Sequence, residues 1–164
     1  MSDKVYNALF ICTHNSARSI LAEGLLNLLG APRFRAFSAG SHPAGTVQPL
    51  ALQVLAQRHV PTDGLRSKDW QEFAGPGAVP LDFVFTVCDK AAGQVCPVWP
   101  GQPMTAHWGV PDSSAVQGDG ETKRRAFEDT AITLKRRIEL MLALPLASLD
   151  SLSLQRELRD IGKR

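Results

Sequence analysis

The chain has 164 residues, 44% of them hydrophobic and 21% charged, with a formal net charge of +2. That size and composition point to one ordinary globular domain with a proper core. The near-balanced charge and the lack of a long apolar run argue against a nucleic acid or a membrane as partner. Three cysteines are an odd count, too few for a secreted disulfide scaffold, and Met1-Ser2-Asp3-Lys4 leads towards a strand without a secretory signal. A reducing cytoplasm with reactive thiols is the expected setting.

Taken in order, Ala8-Leu9-Phe10-Ile11 is a short bounded apolar run, as a buried parallel strand would be. Ile20 to Leu29 has helical spacing, with Leu21, Leu25, Leu28 and Leu29 on one apolar face and Gly30 as the stop. Arg33 to Ala39 reads as a second strand. Gly45 to Arg58 reads as a second helix with Leu50, Val54 and Leu55 inward, and residues 61–64 turn the chain. The polar run Arg66-Ser67-Lys68-Asp69 precedes a short helix over Trp70 to Phe73. Leu81 to Val87 is a third strand, apolar enough to be central, ending at Cys88. Asp89 to Val95 is a polar, small-residue stretch closing at Cys96-Pro97.

Met104 to Trp108 reads as a fourth strand at the sheet edge, and residues 109–120 as a loop containing Asp112. Glu121 to Leu144 is the longest helix. Phe127, Ala131, Leu134, Ile138 and Met141 form its buried stripe. Lys123, Arg124, Arg125, Lys135, Arg136 and Arg137 form a face read as solvated. Pro145 ends it. In the tail, residues 146–164, Leu149, Leu152, Leu154 and Leu158 are spaced for a last helix. The expected fold is α/β: a single-domain open parallel four-stranded sheet with helices on both faces. The catalytic domain is expected to span residues 1–145.

Between the first strand and the first helix stands Cys12-Thr13-His14-Asn15-Ser16-Ala17-Arg18-Ser19, where open α/β sheets bind ligands. Cys12 and Arg18 enclose five residues. A loop of that length can curl so that successive N–H groups meet at one centre, and with a helix N-terminus this suits a tetrahedral oxyanion. Thr13 to Ser19 are the expected oxyanion-binding residues, with Arg18 closing the bowl as a bidentate fork. Cys12 lies at the floor, where the same positive field is expected to lower its thiol pKa. Asn15 and Ser19 can brace the loop or reach the sulfur. Cys12, Cys88 and Asp112 each follow a predicted strand, so one rim of the sheet is placed to gather them.

The other cysteines allow more than one reading. Cys88, ending a strand, also fits a small buried hydrophobe. A zinc site fits poorly, because seven residues separate Cys88 from Cys96. His107 and Trp108 read as structural, and Asp112 also fits a turn or capping residue.

Cys12 to Ser19 resembles the phosphate-binding loop of the low-molecular-weight protein tyrosine phosphatase fold. His107-Trp108-Gly109 with Asp112, and Val87-Cys88-Asp89 through Cys96-Pro97, resemble the arsenate reductase branch of that family. The resemblance implies that Cys12 is the nucleophile and that Arg18 and the loop hold arsenate or phosphate. It makes Asp112 the acid that protonates the departing oxygen, and Cys88 and Cys96 a thiol relay. No bound cofactor is implied, only an external thiol reductant, thioredoxin or glutathione with glutaredoxin.

Several positions depart from the family pattern. The two relay cysteines are eight apart, one more than in familiar thioredoxin-coupled enzymes. Ser113 stands where proline is usual. Lys68 lies near an acidic residue of the potassium-binding reductases, so its ammonium is expected to replace the ion and no metal site is expected. Ser113-Ser114 supplies no aromatic wall for a phosphotyrosine. A continuous helix over residues 88–96 would hold the relay Cα atoms roughly 12 Å apart, against about 7 Å for a disulfide. Oxidation is therefore expected to loop out Asp89 to Val95. An arsenate reductase is the leading expectation. A phosphatase acting on phosphomonoesters through a phosphocysteine at Cys12, and a non-enzymatic oxyanion or redox sensor, are the alternatives.

Overall fold

Apolar segments near residues 10 and 85 form the two inner strands of a four-stranded parallel sheet. The computed structural model describes residues 4–88, 99 and 101–164. In chain order these hold β1 (Tyr6–Cys12), α1 (Arg18–Leu29), β2 (Phe34–Gly40), α2 (Pro49–Gln57) and a 3-10 turn (Trp70–Phe73). Then come β3 (Phe83–Thr86), β4 (Met104–His107), a second 3-10 turn (Ser113–Ala115), α3 (Gly120–Leu142) and α4 (Ser151–Ile161). The strand order is β2-β1-β3-β4, all parallel, with Ala8 opposite both Ala36 and Phe83.

Side chains alternate across a strand, and both sides of β1 are buried: Ala8 and Phe10 on one, Leu9 and Ile11 on the other. A parallel sheet needs such cover on both faces. On one face an aromatic layer runs from Tyr6 and Phe34 through Phe83, Phe85 and Phe10 to Trp108. On the other, Phe37 of β2 packs on Phe73 of the first 3-10 turn at 5.5 Å. The architecture expected from the sequence is the one observed.

Two helices differ in detail. The expected helix from Gly45 starts at Pro49, whose fixed φ suits a first turn. Residues 41–48 instead cross over the Cys12–Ser19 loop. In α1 the buried side is Ile20, Leu21, Ala22, Leu25 and Leu26, while Leu28 is exposed. The helix touches β1, β2, α2 and α3, so its inner face is wider than a single stripe and rotated away from Leu28. The buried stripe of α3 is as expected, but Arg137 is not solvated: it is 7% exposed.

The leucine spacing of the tail becomes α4. Leu154, Leu158 and Ile161 are buried there, and the Trp108 indole N–H donates to the Leu158 carbonyl at 2.9 Å. No helix of the described residues is long and apolar enough to cross a membrane.

Candidate active site

All four strands end at one rim, and the expected residues gather there. Cys12 ends β1 and Gly40 ends β2. Beyond β3 the Val87 N–H donates to the Ile11 carbonyl at 2.9 Å, which carries Cys88 alongside Cys12. Both thiols are buried, and the Thr13 hydroxyl lies 3.5 Å from the Cys88 sulfur. Cys96 and the Asp89–Val95 stretch lie outside the described residues.

The loop is shaped from outside. The N–H groups of His42, Ala44 and Gln48 donate to the carbonyls of Thr13, His14 and Ser16 at 2.9, 2.9 and 2.8 Å. In a planar trans peptide the N–H points opposite to its carbonyl. Turning those three carbonyls outward therefore aims the N–H groups of His14, Asn15 and Ala17 the other way. Gly40 makes the approach of β2 feasible, because a Cβ there would sit 2.5 Å from the Thr13 carbonyl oxygen and 2.8 Å from that of Cys12. Ala17, the residue before α1, has no side chain to cap the helix, so its first N–H groups open towards the loop.

Asn15 braces the loop from within. Its φ of 48° is left-handed, a conformation asparagine tolerates better than most residues. Fully buried, its amide donates to the Ser19 and Ser38 hydroxyls at 2.7 and 2.9 Å, and its oxygen accepts the Lys68 N–H at 2.9 Å. Ser19 thus serves Asn15. Behind them Lys68 Nζ donates to the Arg66 carbonyl at 2.9 Å and stands 3.5 Å from Ser38 Oγ and 3.7 Å from the Glu23 carboxylate. Burial pushes the Glu23 carboxyl up and the Lys68 ammonium down, each opposed by the other's charge. Among the described residues no cluster of three or more His, Cys, Asp or Glu could hold a metal.

Arg18 and Asp112 face each other across the mouth, with Arg18 Nη2 3.7 Å from Asp112 Oδ2. Arg18 Nη1 also donates to the Val110 carbonyl at 3.3 Å. Asp112 does cap the second 3-10 turn, its Oδ1 accepting the Ser114 N–H at 3.0 Å, which leaves Oδ2 towards the arginine. Cys12, His14, Ser16, Ala17, Arg18 and Asp112 line a cavity of about 200 Å³, enough to admit a small oxyanion. Ala44, Gln48 and Ser114 complete it. Ser114 comes with Asp112, but Ala44 and Gln48 have no local signal in the sequence, since a loop remote from Cys12 delivers them. Thr13, Asn15 and Ser19 support the wall without lining it. A larger hollow of about 340 Å³, between Leu28 and Leu65, is lined by neither a cysteine nor an arginine.

One electrostatic expectation is reversed. The Cys12 thiol is pushed up, first by its hydrogen bond to Cys88, then by burial, with the charge of Cys88 adding to both. Arg18 and the His14 N–H pull it down, as the loop's field should, but do not prevail.

The profile of the low molecular weight phosphotyrosine protein phosphatase family matches residues 7–156. The chain belongs to this family. Relatives similar in sequence are named arsenate reductase, while the fold is shared by arsenate reductases and tyrosine phosphatases alike. An arsenate reductase of Oceanobacillus iheyensis (strain DSM 14371 / CIP 107618 / JCM 11309 / KCTC 3954 / HTE831) is 31% identical over 131 residues, 80% of this chain and 91% of that protein. A glutaredoxin arsenate reductase of Synechocystis sp. (strain ATCC 27184 / PCC 6803 / Kazusa) is 27% identical, covering 82% of this chain and 95% of its own. Among solved structures, the thioredoxin-dependent arsenate reductase of Corynebacterium glutamicum is 26% identical with a TM-score of 0.56. The match covers 85% of this chain and 65% of that longer one.

Proposed function

We propose that this family member reduces arsenate to arsenite, with Cys12 as nucleophile and Cys88 as the first relay thiol. The observation that carries the reading is the buried Cys12–Cys88 pair brought together by neighbouring strands at a cavity that can hold an oxyanion. The Cys12 thiolate attacks arsenic, and an arsenate oxygen leaves as water with a proton from Asp112. Arg18 and the loop N–H groups hold the remaining oxygens. The Cys88 thiolate then attacks the Cys12 sulfur. The Cys12–arsenic bond breaks, its electron pair reduces As(V) to As(III), arsenite leaves, and a Cys12–Cys88 disulfide remains. Attack by Cys96 on Cys88 returns the Cys12 thiolate and leaves a Cys88–Cys96 disulfide for an external dithiol to reduce.

A phosphatase needs Cys12, Arg18 and Asp112 but has no use for a second thiol beside its nucleophile. The described residues lining the cavity include no Phe, Tyr or Trp ring against which a phosphotyrosine could stack. The deciding experiment is arsenite production by purified protein, with thioredoxin or glutathione/glutaredoxin as electron donor. The names of the similar proteins carry both reductants, and the assay separates them. Arsenite formation with neither donor system, alongside rapid phosphomonoester hydrolysis, would reverse the reading.

A further inference from the structure

Asp112 is held weakly by its own side chain, which is 45% exposed and makes one hydrogen bond, to the Ser114 N–H, besides facing Arg18. The backbone on either side is held firmly, and by one element. Before Asp112, the buried Arg137 of α3 donates Nη1 to the carbonyls of Trp108 and Gly109 at 2.8 and 3.1 Å. After it, the Ser113 hydroxyl, 3% exposed, bonds to Thr130 Oγ1 and donates to the Ala126 carbonyl at 3.3 Å. Residues 126, 130 and 137 are spaced by four and seven, which puts all three on one stripe of a helix.

Arg137 bonds to backbone oxygens, those of Trp108, Gly109 and Arg164. Stability alone would favour an apolar side chain over a buried guanidinium. What the guanidinium adds is direction, since its rigid fork fixes the carbonyls it meets. Ser113 adds the same at the other end.

We infer that Arg137, Thr130 and Ser113 form a positioning cradle that sets the Asp112 carboxyl against the departing oxygen. They touch no substrate and act through the backbone of residues 108–113. The inference rests on Asp112 serving as the acid in the proposed reaction.

The test is a mutant cycle read by single-turnover arsenate reduction. Ser113→Ala, Thr130→Val and Arg137→Lys are each made in the parent and in Asp112→Asn. A displaced acid should slow turnover roughly tenfold to a hundredfold. Phosphate affinity should be unchanged, and none of the three should slow Asp112→Asn further. Thr130→Ser, which keeps the hydroxyl, should restore the Thr130→Val loss. Ser113→Ala removes one oxygen atom and keeps the cradle testable if Arg137→Lys does not fold. Parent-like rates in Ser113→Ala and Thr130→Val would overturn the cradle, as would equal slowing in the Asp112→Asn background. Should Asp112→Asn itself turn over like the parent, the acid assignment falls and the cradle with it. That signature differs from failure of the cradle alone.

Discussion

Cys12 and Cys88 are both buried and interact, so the proton on one depends on the other. Cys88 is the largest cause raising Cys12 and contributes again through its charge, whereas Arg18 and the His14 N–H lower it. Replacing Cys88 by alanine removes both contributions and leaves burial alone against the two lowering groups. Cys88→Ala is therefore expected to move the Cys12 midpoint to lower pH. Iodoacetamide alkylation of the Cys12 peptide, followed by mass spectrometry across a pH series, reads that midpoint directly. An unchanged or higher midpoint would mean that burial, and not the partner thiol, governs Cys12. The proposed nucleophile and its arginine are legible in the sequence because both lie in one loop. It cannot show the coupling, because Cys88 arrives from another strand.

At the scale of elements, the tail helix is secured at its start by a carboxylate. The Asp150 side chain accepts the Ser153 N–H at 2.7 Å, and hydrogen bonds with Ser153 hold its carboxyl below the ordinary value of 3.8. A carboxyl depressed on folding stabilises the fold above its ordinary value, and that contribution is lost as pH falls through the folded value. Asp150→Ala should accordingly melt at a lower temperature than the parent at neutral pH. The gap should close as the pH drops below the ordinary carboxylate value, and thermal melts over an acid series would show it. A gap independent of pH would assign the loss to something other than the charged cap. Periodicity makes the elements themselves legible: Phe127, Ala131, Leu134, Ile138 and Met141 repeat as a buried helix stripe must, and all are buried. Arg137 hides in the same pattern. It lies three residues after Leu134 and four before Met141, on the flank of the apolar face. A charge there reads as solvated until the carbonyls of Trp108 and Gly109 are seen to meet it.

For the molecule as a whole, strand order decides that Cys12 and Cys88 meet. β1 and β3 are neighbours, so their ends place Cys12 and Cys88 together, while β4 and the segment after it bring Asp112 to the same mouth. Arsenite release should then be coupled to an internal disulfide rather than to a thiol from solution. With arsenate and no reductant, one turnover of the parent should end with Cys88 joined to Cys96. Cys96→Ser should stop one step earlier, with Cys12 joined to Cys88 and arsenite already released. Cys88→Ser should release no arsenite unless a small thiol is added. Peptide mapping of the three proteins after alkylation of the remaining thiols distinguishes these products. A mixed disulfide of Cys12 with glutathione, formed faster than any internal one, would show that the reducing electrons come from a small external thiol. In that case Cys96 is a bystander, and Cys88 tunes the Cys12 proton without carrying electrons.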